Sequence, residues 1–394
     1  MLTTSDAPSV DLADLLTDDP TRLDRAAAAL IEGYGTFGLV TVAGHGISPA
    51  EVDAYYASFN EVTARPEDEK QRYHRADIWY QRGWTPPNTE AAVVSGGQRD
   101  FKECWFGAPL PGDPDAAACF PQLFAENVWP DDAPTFRDLH MSLGAQLHEV
   151  GLHLLRGCER ALGLDAGTFD AITRGAAHVT RSLRYLPLAE EEAARGVLWG
   201  EEHTDFNLLT LLAGGRFFDP AGRPAPRPDD RSGLYLRTRA TPEHPRGQMV
   251  PGRAPADHIV SQVGQQLEIL TGGRFLATPH VIKAPRTAGW SRASLAHFVH
   301  VHPLRTLTPL PPFRSPETIE AYRPPVLAGT YAIKTLVDIA LAPREAIDSL
   351  GYRHYGRLAG IRADGEWKRA SSARRRIISS PASIAAWLAA SISR

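Results

Sequence analysis

Three residues of this chain have side chains and spacing suited to binding a transition metal. His203 and Asp205 are two positions apart, and His280 follows 75 positions after Asp205. Two imidazoles and one carboxylate can occupy one face of an octahedron and leave three positions open, an arrangement typical of non-haem Fe(II) oxygenases. The pattern therefore predicts a mononuclear iron centre with room for a cosubstrate and for O2.

The sequence around these residues favours strands. Apolar residues at 197–199 and 206–212 lie on either side of the His-x-Asp motif, so a strand there would turn His203 and Asp205 to the same face. A chain of this length with 14 His contains about one His-x-Asp by chance, so the motif has weight only together with its companions.

A later segment adds polar residues to the pattern. Residues 294–301 have strand character, and the strand would begin near Arg292, twelve positions after His280. Arg292, Ser294 and Phe298 would then share one face. Phe298 could line a cavity on that face or belong to an ordinary core, and the sequence leaves both interpretations open. The same alternation places His297 on the opposite face from His300 and His302.

Further motifs extend toward both ends of the chain. Tyr34-Gly35-Thr36-Phe37-Gly38-Leu39-Val40 is followed by Gly44-His45-Gly46-Ile47, and later motifs cover residues 65–70, 83–86, 100–105, 127–130 and 181–187. Together with the His-x-Asp, His280 and Arg-x-Ser segments, they resemble the isopenicillin N synthase-like branch of the Fe(II)/2-oxoglutarate-dependent dioxygenases. The resemblance runs through most of the chain.

This resemblance implies a set of site residues. His203, Asp205 and His280 would bind Fe(II), and O2 would take an open position on the metal. Arg292 and Ser294 would bind the distal carboxylate of 2-oxoglutarate, for which the fork of an arginine is well suited. Tyr185 would correspond to the family's carboxylate-binding tyrosine, although the chain has Arg-Tyr-Leu-Pro at 184–187 where many members have Asn-Tyr-Tyr-Pro or Arg-Tyr-Pro-Pro.

Two arginines near that tyrosine are candidates for binding the substrate. Arg181 and Arg184 are candidates to contact a substrate carboxylate, and Phe298 is the third candidate substrate residue. At least one of the two arginines is expected to be a structural ion-pair partner instead.

The elements that must position these residues are helical first and strand-rich later. Helices are predicted from Asp19-Pro20, from Ser48-Pro49 and over 133–162, with shorter candidates at 345–350 and 382–392. Between Arg181 and Pro303 the apolar period shifts toward two, with Gly-Gly turns at 214–215 and 272–273.

With the resemblance, this order predicts an α+β fold. Its core would be a distorted double-stranded β-helix, or jelly roll, with an N-terminal helical and mixed region and flanking helices. The expected divisions are 1–130 for the N-terminal region, 131–175 for bracing helix, 176–305 for the core and 306–394 for a C-terminal helical extension. Pro- and Gly-rich segments at 214–228 and 241–255 predict an exposed loop or a lid over the cavity.

Composition excludes several other classes of protein. A formal charge of -4 and a pI near 6.4 give no basic field for nucleic acid, and no stretch approaches the 18 apolar residues of a membrane span. Three cysteines without metal-binding spacing and an N-terminus without a signal pattern favour a reducing, cytoplasmic compartment. We expect a small-molecule substrate, no nucleic-acid or membrane partner, and a monomer or weak homo-oligomer.

Three functions remain open at this point. The first is an Fe(II)- and 2-oxoglutarate-dependent oxygenase that hydroxylates, desaturates or otherwise oxidises a small molecule with release of succinate and CO2. The second is a ring-closing oxidase of the isopenicillin N synthase type that needs no 2-oxo acid. The third is a non-catalytic binding protein on the same scaffold, which leaves the metal-binding residues unexplained. We place them in that order.

Overall fold

Helices dominate the N-terminal part of the chain and strands its centre. The structure is a computed structural model that describes residues 7–90, 101–240, 242–255 and 257–348. The described residues up to Ala346 form one compact unit. The helix predicted at 382–392 lies outside the described residues.

The long helices lie where the sequence predicts them. Pro20 and Pro49 lie in the first turns of their helices, where a backbone N–H would have no partner within the helix, so its absence costs nothing. Asp19 caps its helix by accepting a hydrogen bond from the Thr21 N–H at 2.9 Å. The helices are α1 (Leu12–Leu15), α2 (Pro20–Glu32), α3 (Pro49–Thr63), α4 (Glu67–Lys70), α5 (Pro114–Cys119), α6 (Pro134–Leu162), α7 (Thr168–Thr173), α8 (Glu190–Arg195), α9 (Gln265–Leu270), α10 (Pro316–Ala321), α11 (Ala328–Asp338) and α12 (Glu345–Asp348).

The strands form two large sheets and one small hairpin. They are β1 (Ser9–Asp11), β2 (Leu39–Ala43), β3 (Gly83–Thr85), β4 (Lys102–Gly107), β5 (Val179–Tyr185), β6 (Leu198–His203), β7 (Leu209–Leu212), β8 (Arg216–Phe218), β9 (Pro224–Ala225), β10 (Gly233–Arg237), β11 (Met249–Pro251), β12 (Ile259–Val263), β13 (His280–Lys283), β14 (Ser291–Val299), β15 (Thr306–Leu307) and β16 (Val326–Leu327). The main sheet has the order β1-β2-β12-β7-β14-β5-β4-β3, with β8 and β9 attached beside β14. The second sheet has the order β11-β10-β13-β6, and β15 pairs with β16.

One face of the main sheet packs on the helices. Leu295 and Val299 of β14 belong to the same buried apolar cluster as Leu147 and Leu154 of α6. A Cβ on Gly151 of α6 would lie 2.9 Å from Val299 Cγ2, so the helix can approach the sheet this closely only with glycine at that position. Helix α6 therefore braces β14 from behind.

The other face of the main sheet looks toward the second sheet. A separate buried cluster joins Ala296 of β14 to Trp199 of β6, Leu234 of β10 and Ile282 of β13. The two sheets thus enclose a common interior, and the predicted α+β fold with a double-sheet core is confirmed.

Three details differ from the expectations. The residues before the Gly272-Gly273 turn form helix α9 rather than part of a strand pattern. The segment 214–228 is not simply an exposed lid, because β8 pairs with β14 and both Phe217 and Phe218 are buried. Strands β1 to β4 from the N-terminal region join the main sheet, while the expected domain divisions themselves stay a prediction.

Within the part of the chain that the structure describes, no helix is both long enough and apolar enough to span a bilayer.

Candidate metal centre

The two predicted histidine ligands lie opposite each other on neighbouring strands. His203 ends β6, His280 begins β13, and the two are paired in register with ring centroids 4.2 Å apart. Asp205 lies in the turn after β6, and its Oδ1 is 3.8 Å from His203 Nε2 and 3.9 Å from His280 Nε2. One ligand atom from each residue lies within 4.8 Å of the others, and no further such group of three or more is found among the described residues.

Hydrogen bonds leave one free ligand atom on each of the three side chains. His203 Nδ1 lies 2.7 Å from the Glu201 carbonyl, and His280 Nδ1 lies 3.1 Å from the Thr278 carbonyl. Since a carbonyl can only accept, each Nδ1 must donate, and the lone pair of each imidazole is on Nε2. Asp205 Oδ2 accepts the hydroxyl of Thr210 at 2.6 Å, which leaves Oδ1 toward both rings. This donor set fits a divalent metal ion.

The electrostatics favour the charge state that a metal requires. Burial and the neighbouring His280 lower the pKa of His203 to about 4, although 46% of its side chain is solvent accessible. Burial opposes ionisation of Asp205, but the two imidazoles and the Thr210 hydroxyl outweigh it and lower the pKa of Asp205. At neutral pH the site therefore offers a neutral imidazole at His203 and an ionised carboxylate at Asp205.

A buried arginine with an unused donor lies on the same interior surface. Arg292 of β14 is 8% exposed, and its Nη1 has no hydrogen-bond partner among the described residues. Its guanidinium lies 5.5 Å from the ring centre of Tyr185, its cross-strand neighbour on β5. A buried guanidinium without a carboxylate partner is costly, so this position suits an anionic group of a bound molecule.

Strand register places the other predicted residues on this interior face. Side chains directly opposite each other on paired strands lie on one face. Ser294 is opposite Leu183, and Phe298 is opposite Thr210, the residue that binds Asp205. Arg292, Ser294 and Phe298 therefore share the face of the metal-binding carboxylate, as the sequence predicts.

Tyr185 lies beside Arg292 on the neighbouring strand. Its ring stacks on Trp199 at 5.7 Å, and burial raises the pKa of Tyr185 against the opposing effect of Arg292. The phenol consequently keeps its proton at neutral pH and can donate it in a hydrogen bond. Its direct contact with a cosubstrate stays a prediction.

The two candidate substrate arginines have different positions. Arg181 lies on the interior face opposite Ala296, forms an ion pair with Glu90, and donates to Cys104 Sγ at 3.0 Å. Lys102 binds the same Glu90 carboxylate at 3.0 Å. The interior of the double sheet thus holds a buried group of charges near the metal-binding residues.

Arg184 points to the opposite face of β5 and is not part of the site. It donates to Glu103 Oε1 at 3.1 Å and to the Thr63 carbonyl at 3.0 Å. Glu103 also binds Lys70 at 2.7 Å, so Arg184 belongs to a structural network between the N-terminal region and the sheet. The structure therefore does not support Arg184 as a substrate contact.

His297 and His300 lie on opposite sides, as expected. His297 lies on the helix side of β14, where Thr180 Oγ1 is 2.9 Å from its Nδ1. His300 lies toward the metal side, with its ring centre 5.2 Å from that of Phe206, and burial lowers its pKa to about 4. Neither belongs to the metal-binding group.

Sequence reasoning missed Thr210 and Glu90. Thr210 follows Asp205 by five positions. The alternation of side chains along 206–212 would have pointed to Thr210 only if the turn after His203 had been recognised. Glu90 contacts Arg181, which is 91 positions away in the chain, and no local sequence pattern predicts such a pair.

Comparisons with known proteins show similarity to non-haem dioxygenases. Residues 7–132 match a family model described as the non-haem dioxygenase in morphine synthesis N-terminal region. A 2-oxoglutarate-dependent dioxygenase of Aspergillus rugulosus is 25% identical over 300 residues, which cover 70% of this chain and 82% of that protein. The Jasmonate-induced oxygenase 2 of Arabidopsis thaliana is 24% identical over 360 residues, covering 87% of this chain and 86% of that protein.

The fold has solved counterparts as well. The crystal structure of a 2OG-Fe(II) oxygenase family protein from Caulobacter crescentus superposes with a TM-score of 0.67 at 24% identity, over 84% of this chain and 98% of that one. A full-length Neurospora crassa protein, crystallised in complex with alpha-KG and thymine, superposes with a TM-score of 0.66 at 19% identity, over 84% of this chain and 96% of that one. At this level of identity the structural likeness establishes the fold.

Proposed function

Since this chain belongs to the Fe(II)/2-oxoglutarate-dependent dioxygenase family, we propose that His203, Asp205 and His280 bind its Fe(II) and that Arg292 binds the distal carboxylate of 2-oxoglutarate. The protein is an oxygenase that uses Fe(II), 2-oxoglutarate and O2 to oxidise a small molecule. When bound, the iron supplies the reduction of O2 that is coupled to decarboxylation of 2-oxoglutarate to succinate and CO2 and to oxidation of the substrate.

One observation carries the assignment of the ligands. In each of the three side chains the second polar atom is already held by the protein, through Glu201, Thr278 or Thr210, and the remaining atoms converge. Such bonds fix the tautomer and orientation of metal-binding imidazoles and carboxylates. A group of three ordinary polar residues has no need for this arrangement.

The chain's own residues provide charge and position for the cosubstrate. A guanidinium is a cation whose planar fork matches a carboxylate, and Arg292 offers an unused buried donor. Ser294 follows on the same face of β14 and can add a hydrogen bond to the same carboxylate. Tyr185 supports the guanidinium from the neighbouring strand.

For the substrate side we propose Arg181 and Phe298. Both face the interior, and the buried Nε of Arg181 has no hydrogen-bond partner among the described residues, so it can donate to a polar substrate group. Thymine in the Neurospora structure agrees with a small-molecule substrate. We further propose that the protein is a monomer or weak homo-oligomer and that it works in a reducing, cytoplasmic compartment. The three free cysteines support the proposed compartment.

The decisive experiment is anaerobic addition of 2-oxoglutarate to the Fe(II)-loaded protein. We expect a weak visible absorption band from the metal chelate and O2 consumption that depends on 2-oxoglutarate. Absence of the band together with O2 consumption that needs no 2-oxo acid would favour a ring-closing oxidase instead. Iron binding without any O2 consumption would favour a binding protein.

A further inference from the structure

The short helix α9 connects the two segments that carry the metal-binding residues. The backbone N–H of Gln265 donates to the Asp205 carbonyl at 2.8 Å, and its side-chain Nε2 donates to Thr204 Oγ1 at 2.6 Å. Thr204 lies between His203 and Asp205 in the chain. The first residue of α9 therefore holds the turn from which the carboxylate projects.

The same helix holds the segment that leads to His280. The Glu268 carboxylate accepts the Ala277 N–H through Oε2 at 2.9 Å. Ala277 directly precedes Thr278, whose carbonyl binds His280 Nδ1 at 3.1 Å. One turn of helix α9 thus contacts both ligand-bearing segments through two different side chains.

Two tyrosines of the C-terminal segment act on these two side chains. Tyr331 of α11 donates its hydroxyl to Gln265 Oε1, and Tyr322, just after α10, donates to Glu268 Oε1 at 3.1 Å. Because Tyr331 binds the amide oxygen of Gln265, the amide nitrogen is turned toward Thr204. Each tyrosine therefore fixes the orientation of a side chain that in turn holds a ligand-bearing segment.

We propose that Tyr331 and Tyr322 are positioning residues for the metal centre, acting through Gln265 and Glu268 of α9. The inference rests on the proposed iron site. Asp205 lies in a turn outside the strand ladders, so side-chain and backbone bonds must hold its geometry. The two tyrosines that orient Gln265 and Glu268 come from 316–338, outside the double sheet, and through them the C-terminal segment influences how tightly the centre binds metal.

The test uses the full chain with Co(II) as the probe ion under anaerobic conditions. Tyr331→Phe and Tyr322→Phe remove only a hydroxyl, and Tyr80→Phe is the matched control, because its hydroxyl binds His74 at 3.2 Å away from α9. The readouts are the Co(II) dissociation constant, the visible spectrum of the Co(II) protein and the Tm of the metal-free protein. We expect each of the first two variants to bind Co(II) roughly two- to tenfold more weakly, and the control to match the wild type.

A double-mutant cycle asks whether Tyr331 acts through Gln265. In a Gln265→Ala background, Tyr331→Phe should have almost no further effect on Co(II) affinity, and Thr204→Val should resemble Gln265→Ala. Unchanged Co(II) affinity in both tyrosine variants, even with a lowered Tm, would reduce these bonds to ordinary stabilising contacts and overturn the proposal. Additive effects in the cycle would overturn the route through Gln265.

Failure of the positioning role can be distinguished from failure of the iron site. If the wild-type chain binds Co(II) and the variants bind it equally well, only the positioning role is wrong. If the wild-type chain does not bind Co(II), the iron site is wrong, and the positioning role is wrong with it.

Discussion

Thr210 donates its hydroxyl to Asp205 Oδ2 at 2.6 Å, and this bond leaves Oδ1 as the carboxylate oxygen that faces both imidazoles. The two residues belong to different parts of the fold, since Thr210 lies on β7 of the main sheet and Asp205 follows β6 of the second sheet. The metal-binding carboxylate is therefore oriented from the opposite sheet.

Removal of that hydroxyl should weaken metal binding without abolishing it. Thr210→Val keeps the shape of the side chain but loses the bond, and groups that orient a ligand are typically worth about ten- to a hundredfold in metal affinity. His203→Ala, Asp205→Ala and His280→Ala should each reduce Fe(II) binding far more severely and abolish activity. Fe(II) titration of the four variants measures the difference. Native affinity in Asp205→Ala would remove that residue from the site.

Arg292 offers a prediction for the cosubstrate. Arg292→Gln removes a charge-assisted pair worth about 1.5 to 3 kcal/mol, so 2-oxoglutarate should bind roughly ten- to a hundredfold more weakly while Fe(II) binding is unchanged. Arg216→Gln is a matched control, because Arg216 on the adjacent β8 binds Asp53 rather than facing the interior. Titration of the chelate band with 2-oxoglutarate gives the 2-oxoglutarate affinity of each protein, and titration with Fe(II) gives the Fe(II) affinity. Equal 2-oxoglutarate affinity in wild type and Arg292→Gln would place the cosubstrate elsewhere.

Gly215 gives a way to move Arg292 without replacing it. A Cβ on Gly215 would lie 2.6 Å from Arg292 Nη2 and 2.8 Å from its Nε, and the guanidinium is the mobile end of the side chain. Gly215→Ala should therefore leave the Tm nearly unchanged and lower 2-oxoglutarate affinity to a value between wild type and Arg292→Gln. Gly35→Ala, where the nearest atom is the Arg274 carbonyl oxygen at 3.6 Å, is the control. Native 2-oxoglutarate affinity in Gly215→Ala would mean that the guanidinium's position is not critical.

The sequence predicted the helices well, and it predicted that His203 and Asp205 converge, because these signals are local. Proline after a capping residue marks the start of α2, and apolar residues at helical spacing mark α6. The two-residue spacing of His203 and Asp205 predicted one shared direction. The two side chains do converge, but they do so because the chain turns at the end of β6, and not because both lie on one continuous strand.

Other parts of the site depend on contacts that no local pattern records. The segment 214–228 has the composition of a loop, yet β8 pairs with β14 and buries Phe217 opposite Arg292. Arg181 and Arg184 are similar in sequence context, and only the register of β5 separates the interior side chain from the one that binds Glu103. Tertiary pairing decided these positions, and propensity did not.

Three buried histidines behind β14 predict sensitivity to acid. The ring of His148 lies 4.3 Å from that of His178 and 5.3 Å from that of His297, and His148 Nδ1 is 3.1 Å from His297 Nε2. Burial lowers the pKa of His148 to about 4 and holds the pKa values of the other two well below the ordinary range, with the neighbouring imidazoles adding to the effect.

The direction of the effect follows from where protons bind. A histidine in an unfolded chain has a pKa of about 6.5. Below that pH the unfolded chain therefore binds protons that the buried histidines of the folded chain do not bind. The free energy of unfolding should therefore fall as the pH drops from about 6.5 toward about 4, by up to about 1.4 kcal/mol per pH unit for each such histidine. Above about pH 7 these groups are neutral in both states and contribute no pH dependence.

His148→Gln isolates one of these groups, because glutamine can keep a hydrogen bond to His297 but cannot titrate. Urea unfolding of the metal-free protein at pH 7.5, 6 and 5 gives the free energy of unfolding at each pH. Between about pH 6 and 5 the variant should lose stability less steeply than the wild type, by up to about 1.4 kcal/mol per pH unit, whatever its stability at pH 7.5. Identical slopes in the two proteins would show that His148 takes up a proton in the folded state as readily as in the unfolded chain, and that it is not a source of the acid sensitivity.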